Sequence, residues 1–283
     1  MNDPVNNDNT EITHSLEFKK KLDKLESLKS ELAKLISERD KLENTVKKNL
    51  EALYAVKIGK NEFTLFKTEC EIARLKRKIE LFQAKLNHGK KFNILEVESQ
   101  LDKEYEKWDK EMSKMLKDIE NSKNRLSSLR TPEDSVELQS TYRALVKKLH
   151  PDINSNQTEK SKLLWNRTMH AYSLGDLEEL RAIKLLIDDL KDKTTVDPGP
   201  NIDDHIKSIN KKIFIFLEYI KKIKSEFPFT IEQNIDDKNW GANKNSEIFK
   251  KIDKLNNKKE ELQKVIDKLL LQSIDDPGSD AIN

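Results

Sequence analysis

The chain has 283 residues, 37% of them charged and 35% hydrophobic, and its 53 basic and 51 acidic side chains leave a net charge of +2. That balance excludes a thick apolar core and a global attraction to nucleic acid or anionic lipid, and it suits long helices with narrow apolar faces. Cys70 is the single cysteine, which excludes an intramolecular disulfide and fits a reducing compartment.

The opening, MNDPVNNDNTEI, carries neither a basic cluster nor an apolar run, so it does not read as a secretory signal, and residues 1–13 are expected to be disordered. From about His14 to Lys57, Leu25, Leu28, Leu32, Leu35, Leu42 and Val46 recur in steps of three and four, with Arg39 in one slot of this heptad seam. IGKN at 58–61 is read as a break. A second segment, about Glu62 to Asn87, continues with Ile72, Leu75, Ile79, Phe82 and Leu86. NHGK at 87–90 is read as another break. The third segment, about Phe92 to Leu129, has the seam Leu101, Tyr105, Trp108, Met112, Met115, Ile119, Leu126 and Leu129, which places Trp108 in the core. Short turns between long helices favour antiparallel neighbours, so residues 14–130 are expected to form a three-segment antiparallel, coiled-coil-like antenna. Each buried seam leucine contributes about 1.5–3 kcal/mol. Pairing within the chain predicts a monomer; the competing arrangement is a parallel coiled-coil dimer through residues 14–57.

TPEDS at 131–135 has the signs of a helix start: Thr131 as N-cap, Pro132 at the first position, and two acids at the positive end. The helix should run to about Leu149 and stop before Pro151, which lacks an N–H and biases His150 away from helical backbone. A polar loop follows. A helix from about Glu159 to Ser173 should close at Gly175, and Asp176 should cap another from Leu177 to about Asp192. Pro- and Gly-rich KTTVDPGPN, 193–201, reads as a linker. Residues 202–273 then read as a C-terminal helical hairpin, Asp203 to Ser225 and Ser246 to Ser273. Its long connection contains Phe227, Pro228 and Phe229, which should cap the hairpin, and Trp240. Residues 274–283 read as a disordered tail. The fold class expected is all-α: long antiparallel hairpins flanking a small helical module at 131–192.

The chemistry concentrates in that module. Arg143, Lys147 and Lys148 give its first helix a basic face, with Tyr142, Leu145 and Leu149 turned inward. His150 and Asp152 follow at an expected exposed tip, the carboxylate free to accept a bidentate arginine from another molecule. Such a prong would dock on an acidic partner, with the charges setting on-rate and orientation.

The stretch STYRALVKKLHPDINSNQTEKSKLLWNRTMHAYSLGDLEEL resembles the J domain of DnaJ-type cochaperones. The resemblance is carried by Tyr142, Arg143, Leu145, Lys148, His150, Pro151 and Asp152, then by Trp165 and the Ala171-Tyr172 pair. It covers about 60 residues. It implies that the basic helix and the His-Pro-Asp turn bind a DnaK-type chaperone and trigger its ATP hydrolysis, while the flanking helices choose a client protein or a location. The family's first helix has no match here, and the stretch near Leu126 and Leu129 is expected to take its place. Thr168 stands where the family usually has an aliphatic residue, and no Gly/Phe-rich or Cys-rich zinc segment is present. The alternative reading is a structural coiled-coil protein whose J-like module serves only as an interaction element.

The other histidines, His14, His88, His170 and His205, have no metal-ligand spacing. Cys70 reads as a buried structural thiol. With no phosphate loop and no nucleophile–base constellation, neither a cofactor nor an enzymatic activity of its own is expected.

Overall fold

In the computed structural model the described residues, 7–88, 93–129, 131–154, 157–188 and 201–275, form helices and turns and include no strand. In chain order they are α1 (Asn7–Lys41), a π turn (Leu42–Val46), α2 (Lys47–Tyr54), a second π turn (Ala55–Gly59), α3 (Lys60–Asn87), α4 (Ile94–Ser127), α5 (Pro132–Leu149), α6 (Glu159–Leu174), α7 (Leu177–Asp188), α8 (Ile202–Ser225), a 3-10 turn (Phe229–Ile231) and α9 (Lys238–Asp275). None of these helices is long and apolar enough to cross a membrane.

Contacts divide the chain into two units, each made from two stretches: 1–48 with 129–230, and 49–128 with 231–283. This corrects the expected division into antenna, 131–192 module and C-terminal hairpin. Residues 7–13 belong to α1, and 274–275 to α9. The remaining expected termini, most of the 193–201 linker, Phe92 and residues 189–192 lie outside the described residues.

The expected break at 58–61 does not occur. Gly59 keeps helical backbone (φ −55°, ψ −31°) and ends a π turn. Glycine costs a helix about 1 kcal/mol, and burial of the neighbouring Ile58, 0% exposed against Ile248 and Ile252, outweighs it.

In the first unit, α1 is shared between two partners, α5 and α8. That explains why its buried band is broader than a heptad seam: Leu32, Ala33, Leu35, Ile36, Ser37 and Asp40 are all buried. α8 lies parallel to α1, because Lys21 pairs with Asp203 at 2.6 Å and, further along both helices, Lys224 pairs with Glu38 at 2.8 Å. Its stripe of Ile202, Ile206, Ile209, Ile213, Phe216 and Ile220 is buried. Arg39, the odd residue in the seam, places its guanidinium 5.0 Å from the Phe216 ring. α5, α6 and α7 pack on one another in all three pairings.

In the second unit α4 returns antiparallel along α3. Arg74 pairs with Glu98 at 2.6 Å, Phe66 stacks on Trp108 at 5.8 Å, and Arg125 donates to Asn49 at 2.8 Å. Trp108 is therefore at the seam, but it is 37% exposed and not enclosed in a core. α9 runs parallel to α3, through Asn61 to Asn245 at 2.8 Å and then Ile266 among Ile79, Phe82, Val97 and Leu101. Cys70 is buried on α3, and burial pushes its thiol up to about 11.

The expected α8–α9 hairpin is a second correction: α8 packs on α1 and α9 on α3. Pro228 and Phe229 are buried in a connection of turns, while Phe227 stays exposed. α9 starts at Lys238, earlier than expected, because Asp237 accepts the Asn239 N–H at 2.8 Å and Trp240 packs on the Ile58 cluster.

Candidate functional site

The punctuation around residues 131–188 does what the residue types dictate. The Thr131 hydroxyl accepts the Asp134 N–H at 3.2 Å, and Pro132 fills the first turn of α5. Gly175 closes α6 in the left-handed region (φ 70°, ψ 25°), donating its N–H to the Tyr172 carbonyl at 3.0 Å. Asp176 accepts the Glu179 N–H at 2.9 Å at the start of α7.

Tyr142, Leu145, Leu149, Trp165, Ala171 and Tyr172 are all buried between these helices. The Tyr142 and Tyr172 rings stack at 3.8 Å, and Tyr142 lies 6.2 Å from Trp165. Thr168 is 0% exposed. Its hydroxyl donates to the Leu164 carbonyl at 2.8 Å, so a polar residue is satisfied by its own helix where an aliphatic one would fit.

The helix that completes this module is α1. Leu129 is 53% exposed, and Arg125, one residue before Leu126, pairs with Asn49 of its own unit. Tyr142 donates its hydroxyl to Asp40 Oδ2 at 2.6 Å, and Arg39 Nε donates to Asp40 Oδ1 at 2.8 Å. Gln139 accepts from the Tyr172 hydroxyl at 3.0 Å and donates to the Ser37 carbonyl at 2.9 Å. Burial, with Asp40 alongside, raises the Tyr142 hydroxyl far above its ordinary range. These polar partners were absent from the sequence reading. The one visible signal was a charged pair, Arg39-Asp40, inside an otherwise apolar band.

The His-Pro-Asp turn differs from an exposed tip. His150 is 7% exposed, and its ring meets Trp165 edge-on at 4.8 Å. Its Nδ1 accepts the Asp152 N–H at 3.0 Å, which leaves the proton of the neutral ring on Nε2. Burial is the main force lowering its pKa, to about 4; Asp152 opposes the shift, and Arg39 and Lys212 add to it. The His150 carbonyl accepts the N–H groups of Ile153 and Asn154 at 3.1 and 2.9 Å. The side chains of Asn154 and Gln157 donate to the carbonyls of Lys147 and Leu149, which otherwise end α5 without partners. Ile153 is buried and pins the turn down. His150 is thus a brace beneath the surface, and Pro151 and the Asp152 side chain, 42% exposed, are the exposed part of the turn.

Arg143 is exposed, with no ion pair among the described residues. Lys147 and Lys148 are half-buried. Lys147 Nζ lies 3.4 Å from Glu26 of α1. Although burial works against it, Lys29 and Lys147 together hold the Glu26 carboxyl below its usual range. Lys212 of α8 reaches Asp152, with Nζ 3.2 Å from Oδ1 and 2.7 Å from the carbonyl oxygen.

Compared with known proteins, the chain matches no family model, no curated protein and no solved structure.

Proposed function

We propose that this chain is a cochaperone that binds a DnaK-type ATPase chaperone and stimulates its ATP hydrolysis. One observation carries the reading. A rigid Pro151-Asp152 turn, braced from below by His150, stands at the C-terminal end of α5 beside Arg143, Lys147 and Lys148. An acidic surface carrying one arginine would meet the basic face and the Asp152 carboxylate together. The chain's own role is to bind and trigger; the ATP chemistry belongs to the partner, and the reading includes no cofactor, nucleic acid or membrane. A cytoplasmic, monomeric protein fits this role, with the long helices of the second unit selecting a client or a place.

The second reading is a helical scaffold whose J-like module only holds another protein. It is favoured by one observation: Lys147 and Asp152 already have counter-charges from α1 and α8. A single-turnover ATPase assay with a purified DnaK-type chaperone separates the two. Acceleration by the full chain, lost in Asp152→Asn, is the expected result. Tight binding with no acceleration would leave only the scaffold.

A further inference from the structure

The partner-facing charges are covered from outside the module. Asp152 is held by Lys212, sixty residues further along the chain, and Lys147 lies against Glu26. Lys212 arrives there because α8 packs along α1, with Lys21 and Asp203 paired near its start. We infer that α8 is an internal competitor for the His-Pro-Asp turn: Lys212 holds Asp152 and must release it before a partner's basic side chain can take that carboxylate. The inference rests on the turn being the partner-binding site.

The geometry explains why release is needed. A guanidinium fork binds a carboxylate through both oxygens. With the Lys212 ammonium 3.2 Å from Oδ1, one of the two oxygens that such a fork would span already accepts a cation. A second cation beside the first would also face Lys212 at close range. The same ammonium grips the Asp152 carbonyl, so it fixes the backbone of the turn as well as the side chain. The hold is nevertheless light. The side chains of Lys212 and Asp152 are 31% and 42% exposed, and water weakens such a pair. A partner that docks on Arg143 and Lys147 can therefore displace it. Glu26 on α1 covers Lys147 in the same way; α1 stays packed on α5, so that pair opens by rotation of the two exposed side chains alone.

The test compares the full chain with Lys212→Met, which keeps the stem and removes the charge, and Lys212→Arg, which keeps the cation. Two readings are taken: amide exchange at Asp152 and Asn154 without any partner, and the chain concentration giving half-maximal stimulation of a DnaK-type ATPase. For Lys212→Met we expect the turn amides to exchange about fivefold faster, with Tyr142 unchanged, and the half-maximal concentration to fall about three- to fivefold. Lys212→Arg should track the wild type in both. Unchanged exchange at Asp152, or a half-maximal concentration that stays level or rises while the wild type stimulates, overturns the competitor alone. If neither the wild type nor Lys212→Met raises the ATPase rate, the reading of the turn fails and the competitor falls with it.

Discussion

Replacing His150 by Asn should flatten the pH dependence of the first unit's stability. The ring is 7% exposed, packed edge-on against Trp165, and accepts a hydrogen bond that only its neutral form can accept. Its pKa falls to about 4 in the folded chain, chiefly through burial, against about 6.5 when unfolded. The unfolded chain therefore takes up the proton first as pH falls. The stability linked to His150 is complete above about pH 6.5 and is lost as pH drops towards the folded value. Linkage gives a loss of about 2 kcal/mol at pH 5 and about 3 kcal/mol at pH 4. Asn offers an oxygen near the place of Nδ1 and does not titrate. It loses the ring packing, but by an amount independent of pH. Urea unfolding can be followed at Trp165 in a background with Trp108→Phe and Trp240→Phe, since neither of those two lies in the first unit. The advantage of wild type over His150→Asn should shrink by about 2 kcal/mol between about pH 7.5 and pH 5. Acidic groups common to both chains cancel in that difference. Two curves that fall in parallel would mean that the ring is solvated and that the brace does not exist.

Asp40→Ala should destabilise the first unit by about 2–3 kcal/mol, because the Tyr142 hydroxyl at 1% exposure loses its acceptor; Tyr142→Phe should cost only about 1 kcal/mol, and equal losses by urea titration would contradict the network. A fragment of residues 93–230 should show low helix content by circular dichroism, since it lacks the α1 surface that covers α5; a cooperatively folded fragment would make α1 dispensable. Lys147→Glu with Lys148→Glu should weaken binding to a DnaK-type chaperone about tenfold and flatten its salt dependence, measured by titration calorimetry over a salt series. Unchanged affinity would move the docking face elsewhere.

Local punctuation was readable in the sequence. Thr131, Pro132, Gly175 and Asp176 each act on backbone groups within a few residues, so residue type alone decides where α5, α6 and α7 begin or end. The heptad seams were readable as buried faces but not as pairings. Leu32 and Ile36 mark an apolar stripe equally well whether it meets α3, α5 or α8, and the choice depends on residues more than ninety positions away. Gly59 misled for a related reason: its intrinsic cost is small beside the burial of Ile58, which only the tertiary structure reveals. His150 was placed at the end of a helix correctly and at its surface wrongly. Nothing near it in sequence announces that Trp165 folds back over the ring. Lys212 was invisible as part of the site, being one lysine among many on a helix read as half of a hairpin.

The interleaving of the two units also sets a timetable. α1 is complete once residue 41 has been made, but α8 begins at residue 202, roughly 160 residues later. At ~5–20 residues per second, α1 waits roughly 10 to 30 s for its second partner, with all of α2, α3 and α4 synthesised in between. Until α5 is made, Leu32, Leu35 and Ile36 form an uncovered apolar stripe, and the part of α1 that α8 covers stays open for the rest of the interval. A matching surface is the same stripe on another nascent chain of a polysome. The speed of translation between α2 and α8 therefore governs how often α1 pairs with the wrong copy before its own partners emerge.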